Sequence, residues 1–194
     1  MLERLREETK ELHREIEKGN LAEFILSHTI TRDQYKLLLL QNYIAYSVTE
    51  GQIKVFLVEF PADKCEQLQK DLEGEGVDYS IAKNFQKYFS INNRAEAIGA
   101  AYVVEGSSLG GMMISQQIAK CPSLSEIEKH HFFSGNRQAV NGWKQFCKMV
   151  KKETFSASEE EQAVQKARET FQFFGKVFSE VKLLTPSEVI PVNK

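Results

Sequence analysis

The 194-residue chain is 42% hydrophobic and 27% charged with a formal net charge of -2. That suits one well-buried domain and is short for two, and it lacks the overall basic field on which nucleic-acid binding draws. Four prolines and eleven glycines, against long stretches rich in Leu, Glu, Lys, Gln and Ala, predict an all-helical protein rather than a sheet.

The first helix is predicted over residues 2–18, stopped by Gly19-Asn20, with a short helix over 21–27 after it. Thr31 and Gln34 form a capping-box pattern that opens a long central helix, apolar-periodic from Tyr35 to Phe60, which Pro61 terminates. Residues 62–73 read as a polar helix broken by Gly74 and Gly76, and 79–89 as an aromatic-rich helical segment. Asn92 or Asn93 caps a helix over 94–120. Pro122 closes it, and Ser123 with Glu126 caps a short helix. A helix over 136–151 presents Val140, Trp143, Phe146 and Val150 to its partners. Ser158 with Glu161 opens the last helix, whose buried face is Phe171, Phe174, Val177, Phe178 and Val181. Residues 1–182 are thus expected to form one helical domain, and 183–194, with Pro186 and Pro191, an extended tail.

Three cysteines, Cys65, Cys121 and Cys147, are odd in number and without metal-ligand spacing, so they read as reduced thiols. A charged amino terminus and no uninterrupted apolar run of about 18 residues lead to the expectation of a cytoplasmic protein without membrane insertion.

Two features carry chemistry. His13 lies at the seam of an apolar stripe (Leu2, Leu5, Leu12, Ile16) and a charged one, with Arg6, Lys10 and Glu17 within about 60° of it around the helix. On these residues alone the helix reads first as a solvated face laced with ion pairs and the histidine as incidental. The second feature is the run Tyr102-Val-Val-Glu105-Gly106-Ser107-Ser108-Leu109-Gly110-Gly111. With Gly99 it places four glycines in one helix, each unfavourable by about 1 kcal/mol against alanine. Gly106 and Gly110, one turn apart, make a face without side chains. A phosphate loop fails there for want of a preceding strand and of the GxxxxGK[ST] order, whereas close helix packing through small residues stays open. A histidine helix and a bare helix make two walls of a flat slot that suits haem, with imidazole as iron ligand. Arg6 and Lys10 would pair the propionates, and Glu17 would accept the imidazole N–H.

Three stretches together resemble the biliverdin-producing haem oxygenases of bacterial type. Leu5 to His13 resembles the proximal-ligand helix, with Thr9 four residues before the histidine. Tyr102 to Gly111 resembles the distal helix, and Phe132-Phe133 through Trp143-Lys144-Gln145-Phe146 resembles the later helix that brings basic residues to the haem edge. The resemblance implies a single-domain helical bundle with haem between a proximal helix and a kinked glycine-rich distal helix. It implies His13 as the metal ligand, Glu17 as its hydrogen-bond partner, and Gly106, Ser107, Gly110 and Gly111 as the catalytic distal wall. Lys144 and Lys148 join Arg6 and Lys10 as propionate partners, and Tyr102 is a further pocket residue.

The implied reaction takes haem as cofactor and substrate and, with O2 and reducing equivalents, yields biliverdin, CO and Fe2+. An external electron donor is required, a ferredoxin or NAD(P)H-dependent reductase, because neither a flavin nor a dinucleotide fingerprint is present. A bilin acceptor is a further partner. Ser107 stands where better-known members carry aspartate, and a serine cannot hold negative charge at neutral pH. Proton delivery would therefore fall to Ser107, Ser108, backbone groups near Gly106 or water.

Three rival readings remain. A haem-binding or trafficking protein without ring-opening activity would use the same residues. A thiaminase-type enzyme on a similar fold needs a reactive cysteine. A di-iron bundle needs two E-x-x-H pairs, and Glu128/His131 is the only one. His130 and His131 read as surface residues and His28 as a turn residue.

Overall fold

The structure, a computed structural model, describes residues 1–134 and 137–181. The expected tail over 183–194 lies outside them, as do the side chains of Ser108 and Val140. Every regular element among the described residues is helical, and the all-α single-domain expectation holds.

Local chemistry sets the helix ends. α1 (Leu2–Glu17) is followed by Gly19 at φ 70°, a left-handed conformation that favours glycine. The Asn20 side chain then accepts from the Ala22 N–H at 3.0 Å to open α2 (Ala22–Leu26). Thr31 and Gln34 make both bonds of the capping box at the start of α3 (Arg32–Phe56). α3 ends four residues before the Phe60 expected from Pro61, because Arg94 takes the Phe56 carbonyl at 3.3 Å and the chain turns at Leu57. α4 (Lys64–Gly74) closes on Gly76 at φ 65°, with Val77 N–H on Leu72 O and Gly76 N–H on Glu73 O, the two bonds of a Schellman stop.

Three expectations change on contact with the structure. The aromatic segment is a 3-10 helix, Ser80–Tyr88, opened by Asp78, which accepts from the Ser80 N–H at 2.8 Å. Ser123 caps no helix: its hydroxyl goes to the Ile30 carbonyl, and a three-residue 3-10 turn, Pro122–Leu124, stands in its place. The last helix opens two residues earlier than Ser158 and Glu161 suggest. It is Ser156 and Glu159 that exchange cap bonds ahead of α7 (Ala157–Val181). Asn93 caps α5 (Arg94–Ile118) through the Glu96 N–H, and α6 spans Arg137–Lys152.

α5 is central, packing against α2, α3, α6 and α7, while α1 lies along α7 and touches α6. The first half of α5 is core: Ala97, Ile98, Ala100, Ala101 and Val104 are fully buried. By length and composition α5 is also the one described helix able to cross a membrane, and here its apolar half is spent on the core. Gly99 belongs to that half. A Cβ there would enter the backbone carbonyl of Ala163 on α7, so Gly99 is a packing glycine that lets two helix backbones approach.

The later glycines of α5 differ, since a Cβ on Gly110 or Gly111 meets nothing within 4 Å. Gly99→Ala is therefore expected to cost about 3 kcal/mol of stability by overpacking. Gly110→Ala should gain up to about 1 kcal/mol from helix propensity. Urea denaturation of the ligand-free variants checks both, and equal effects at the two positions would contradict the distinction.

Candidate functional site

α1 supplies one wall. Leu5 is fully buried, and Thr9 is buried with its hydroxyl on the Leu5 carbonyl at 2.7 Å. These fix the inner face of the helix and leave His13 on its flank, 53% exposed as a side chain. Its Nδ1 lies 3.5 Å from Glu17 Oε2, close enough for an ion pair but without the expected hydrogen bond, and Nε2 is left free to act as a ligand,. The imidazole stands edge-on to Phe171 of α7, ring centroids 5.7 Å apart. Tyr102 of α5 ties this wall to the next: its phenol lies near the Thr9 hydroxyl and within the field of Arg6. Burial raises the Tyr102 pKa, opposed by the neighbouring Thr9 hydroxyl and the Arg6 charge.

The second half of α5 is the bare wall. The nearest atom to a Cβ on Gly106 is the Trp143 ring, at 3.7 Å, and Gly110 and Gly111 have none within range. Leu109 and Met113, which sequence reasoning did not single out, are 47% and 63% exposed. Helical geometry puts both within about 60° of Gly106, so they form an apolar rim to the bare face.

Ser107 turns away from open space. Its hydroxyl donates to Val104 O at 2.7 Å and accepts from Tyr46 O–H at 2.7 Å. The single serine proton is thereby engaged, and moving it into the slot requires breaking the Val104 bond. Tyr46 was missed in the sequence. The signal was there in principle, because a tyrosine in the buried stretch of α3 needs a partner for its hydroxyl.

α6 closes the side. Trp143 lies 5.6 Å from the Tyr102 ring, so Tyr102, Gly106 and Trp143 converge. Lys144 and Lys148 are exposed one turn apart. Among the described residues, Arg6, Lys10, Lys144 and Lys148 have no ion-pair partner, which distinguishes them from Arg4, Arg32, Arg94 and Arg168, each held by a glutamate.

Behind the bare wall lies a polar layer that no local motif announces. Lys64 Nζ meets Glu105 Oε1 at 2.6 Å, with side chains 9% and 2% exposed. Glu50 of α3 accepts from Lys64 N–H at 3.2 Å and Cys65 N–H at 2.9 Å, capping α4 with a carboxylate,. Burial pushes the Glu50 carboxyl up to about 7, against the opposing pull of those backbone donors and of the Lys64 charge.

Elsewhere, a cleft of about 370 Å³ runs between the 3-10 helix and α7, lined by Lys87, Tyr88, Phe89, Lys166, Phe173 and Lys176. Lys166 is engaged by Glu169 and Ser90 O, and Lys176 by Glu180. Phe173 and Phe171 sit about 200° apart on α7, so the cleft is on the face away from His13. The other histidines have structural partners: His28, at φ 58° after α2, meets Gln117 at 3.0 Å. His130 is half-buried rather than superficial, with Nδ1 2.7 Å from the Tyr35 hydroxyl, and the backbone N–H of His131 goes to Asp71.

The family model described as heme oxygenase matches residues 1–180. The chain belongs to the heme oxygenase family. The crystal structures of the NO- and CO-bound heme oxygenase from Neisseria meningitidis superpose with a TM-score of 0.60 at 18% identity, covering 99% of this chain and 96% of that one. At that identity the likeness concerns the haem oxygenase fold. No curated protein sequence matches the chain.

Glu50 yields a pH prediction. Its folded pKa lies above its unfolded value, so the native state holds the extra proton between about pH 4.5 and 7. Stability falls as pH rises through that window, by at most about 1.4 kcal/mol per pH unit. Denaturant melts from pH 4.5 to 8 should show this decline in the wild type and a flatter profile in Glu50→Gln; identical profiles would contradict it.

Proposed function

We propose that the protein is a haem oxygenase, cleaving haem with O2 and reducing equivalents to biliverdin, CO and Fe2+. The observation that carries the proposal is the bare wall: glycines that cost helix stability and that no neighbouring side chain or backbone requires. A flat apolar ligand held against the helix backbone accounts for them. The residues present suit haem, since an accessible imidazole, an open glycine face with an apolar rim and unpaired cations are what its iron, ring and propionates need.

In this reading His13 Nε2 is the iron ligand and Glu17 orients the ring through Nδ1. Arg6, Lys10, Lys144 and Lys148 hold the propionates, and Tyr102 packs at the slot between α1 and α5. Gly106, Gly110 and Gly111 let the macrocycle approach the backbone while offering no competing ligand. When bound, haem supplies the oxygen-binding centre and is itself the molecule cleaved. Ser107 passes a proton toward the slot only when its bond to the Val104 carbonyl breaks, and the Tyr46 O–H that donates to it is then its source of a replacement. Electrons come from an external donor in the cytoplasm, a ferredoxin or NAD(P)H-dependent reductase, because no residue here stores them.

The thiaminase-type alternative needs a thiol activated by a lowered pKa. Burial instead raises all three, Cys65 to about 11. The alternative of haem binding without chemistry is separated by experiment. Mixing the protein with haemin should give a stoichiometric Soret shift, and ascorbate or a ferredoxin system under oxygen should convert that band to a biliverdin spectrum. A Soret band that persists under those conditions would identify a binding protein. His13→Ala should lose the histidine-ligated spectrum, and an unchanged spectrum would exclude this ligand. Gly110→Leu should weaken haem binding at least about tenfold by filling the wall, equivalent to about 1.4 kcal/mol; wild-type affinity would contradict the slot.

A further inference from the structure

The polar layer behind α5 joins four helices in series. The Glu50 carboxylate of α3 grips the first two N–H groups of α4, and the Lys64 ammonium of α4 reaches Glu105 of α5. Glu105 in turn faces α6: a Cβ on Gly142 would lie 2.5 Å from Glu105 Oε2. The next residue of α6 is Trp143, whose ring would lie 3.7 Å from a Cβ on Gly106, and the next of α5 after Glu105 is Gly106 itself. A carboxylate at the end of an exposed glutamate would swing aside from a new methyl group. Glu105 is 2% exposed and held by Lys64 at 2.6 Å, and releasing it would leave two buried charges unpaired.

Resting on the haem reading above, we propose that the Lys64–Glu105 pair is a positioning device: the clamped carboxylate is the spacer on which Gly142 seats α6, and it thereby sets how closely Trp143 packs on α5 at Gly106, at the side of the slot between α1 and α5. Lys64 and Glu105 touch no ligand in this account. They act through Trp143, on the α6 that also carries Lys144 and Lys148.

The chain has one tryptophan, so Trp143 emission in the ligand-free protein reports the spacing directly. In Gly142→Ala the added methyl should push α6 outward, shift Trp143 emission to the red and weaken haemin binding at least about tenfold. Glu105→Asp keeps the charge for Lys64 but withdraws the carboxylate by one methylene. Added to Gly142→Ala, it should bring both the emission and the haemin affinity back toward wild type. A purely structural role predicts instead a lower melting temperature in Gly142→Ala with emission and affinity unchanged, and that result overturns the proposal. Should Gly142→Ala fail to fold, Glu105→Asp alone decides: a blue-shifted Trp143 emission supports the spacer, and wild-type emission overturns it. A wild-type protein that binds no haemin would refute the haem reading, while the emission arm would still judge the spacer.

Discussion

A helix can offer its backbone to a flat ligand only where it has no side chains, and a stretch without side chains adds nothing to the core that must hold it. Everything around α5 answers that constraint. Its first half is held by burial, down to the contact of Gly99 with the α7 backbone. Its second half is held from behind, by Lys64 on Glu105 and by Tyr46 on Ser107. The exposed face is then free to carry Gly110 and Gly111 with open space before them, and Gly106 beside the Trp143 ring.

The same constraint explains how much could be read before the structure. Thr31 with Gln34, Asn93 and Gly19 act through neighbours in sequence, and their roles were legible. The end of α3 was not, because Arg94, 38 residues away, takes the Phe56 carbonyl before Pro61 has its effect. Ser156 rather than Ser158 opens α7, a choice between two similar patterns that only the cap bonds decide.

The four glycines of α5 looked alike in the sequence, yet Gly99 serves packing and Gly110 does not. That difference depends on what lies opposite each, which is long-range information. Lys64 with Glu105, 41 residues apart, and Gly142 beneath them escaped for the same reason. His13 illustrates the reverse case. Its own surroundings, half-exposed with one glutamate near Nδ1, suit an ordinary surface histidine as well as a ligand. What gives it significance is the bare wall contributed by another helix and the family to which residues 1–180 belong.

The account turns on where a haem would sit, and a crystal structure of the protein with haem bound measures that most directly. It predicts iron bonded to His13 Nε2, one face of the ring against the Gly106–Gly110 backbone and the propionates among Arg6, Lys10, Lys144 and Lys148. Iron bonded to any other residue, or haem lodged in the cleft beside Lys87 and Lys176, would contradict it.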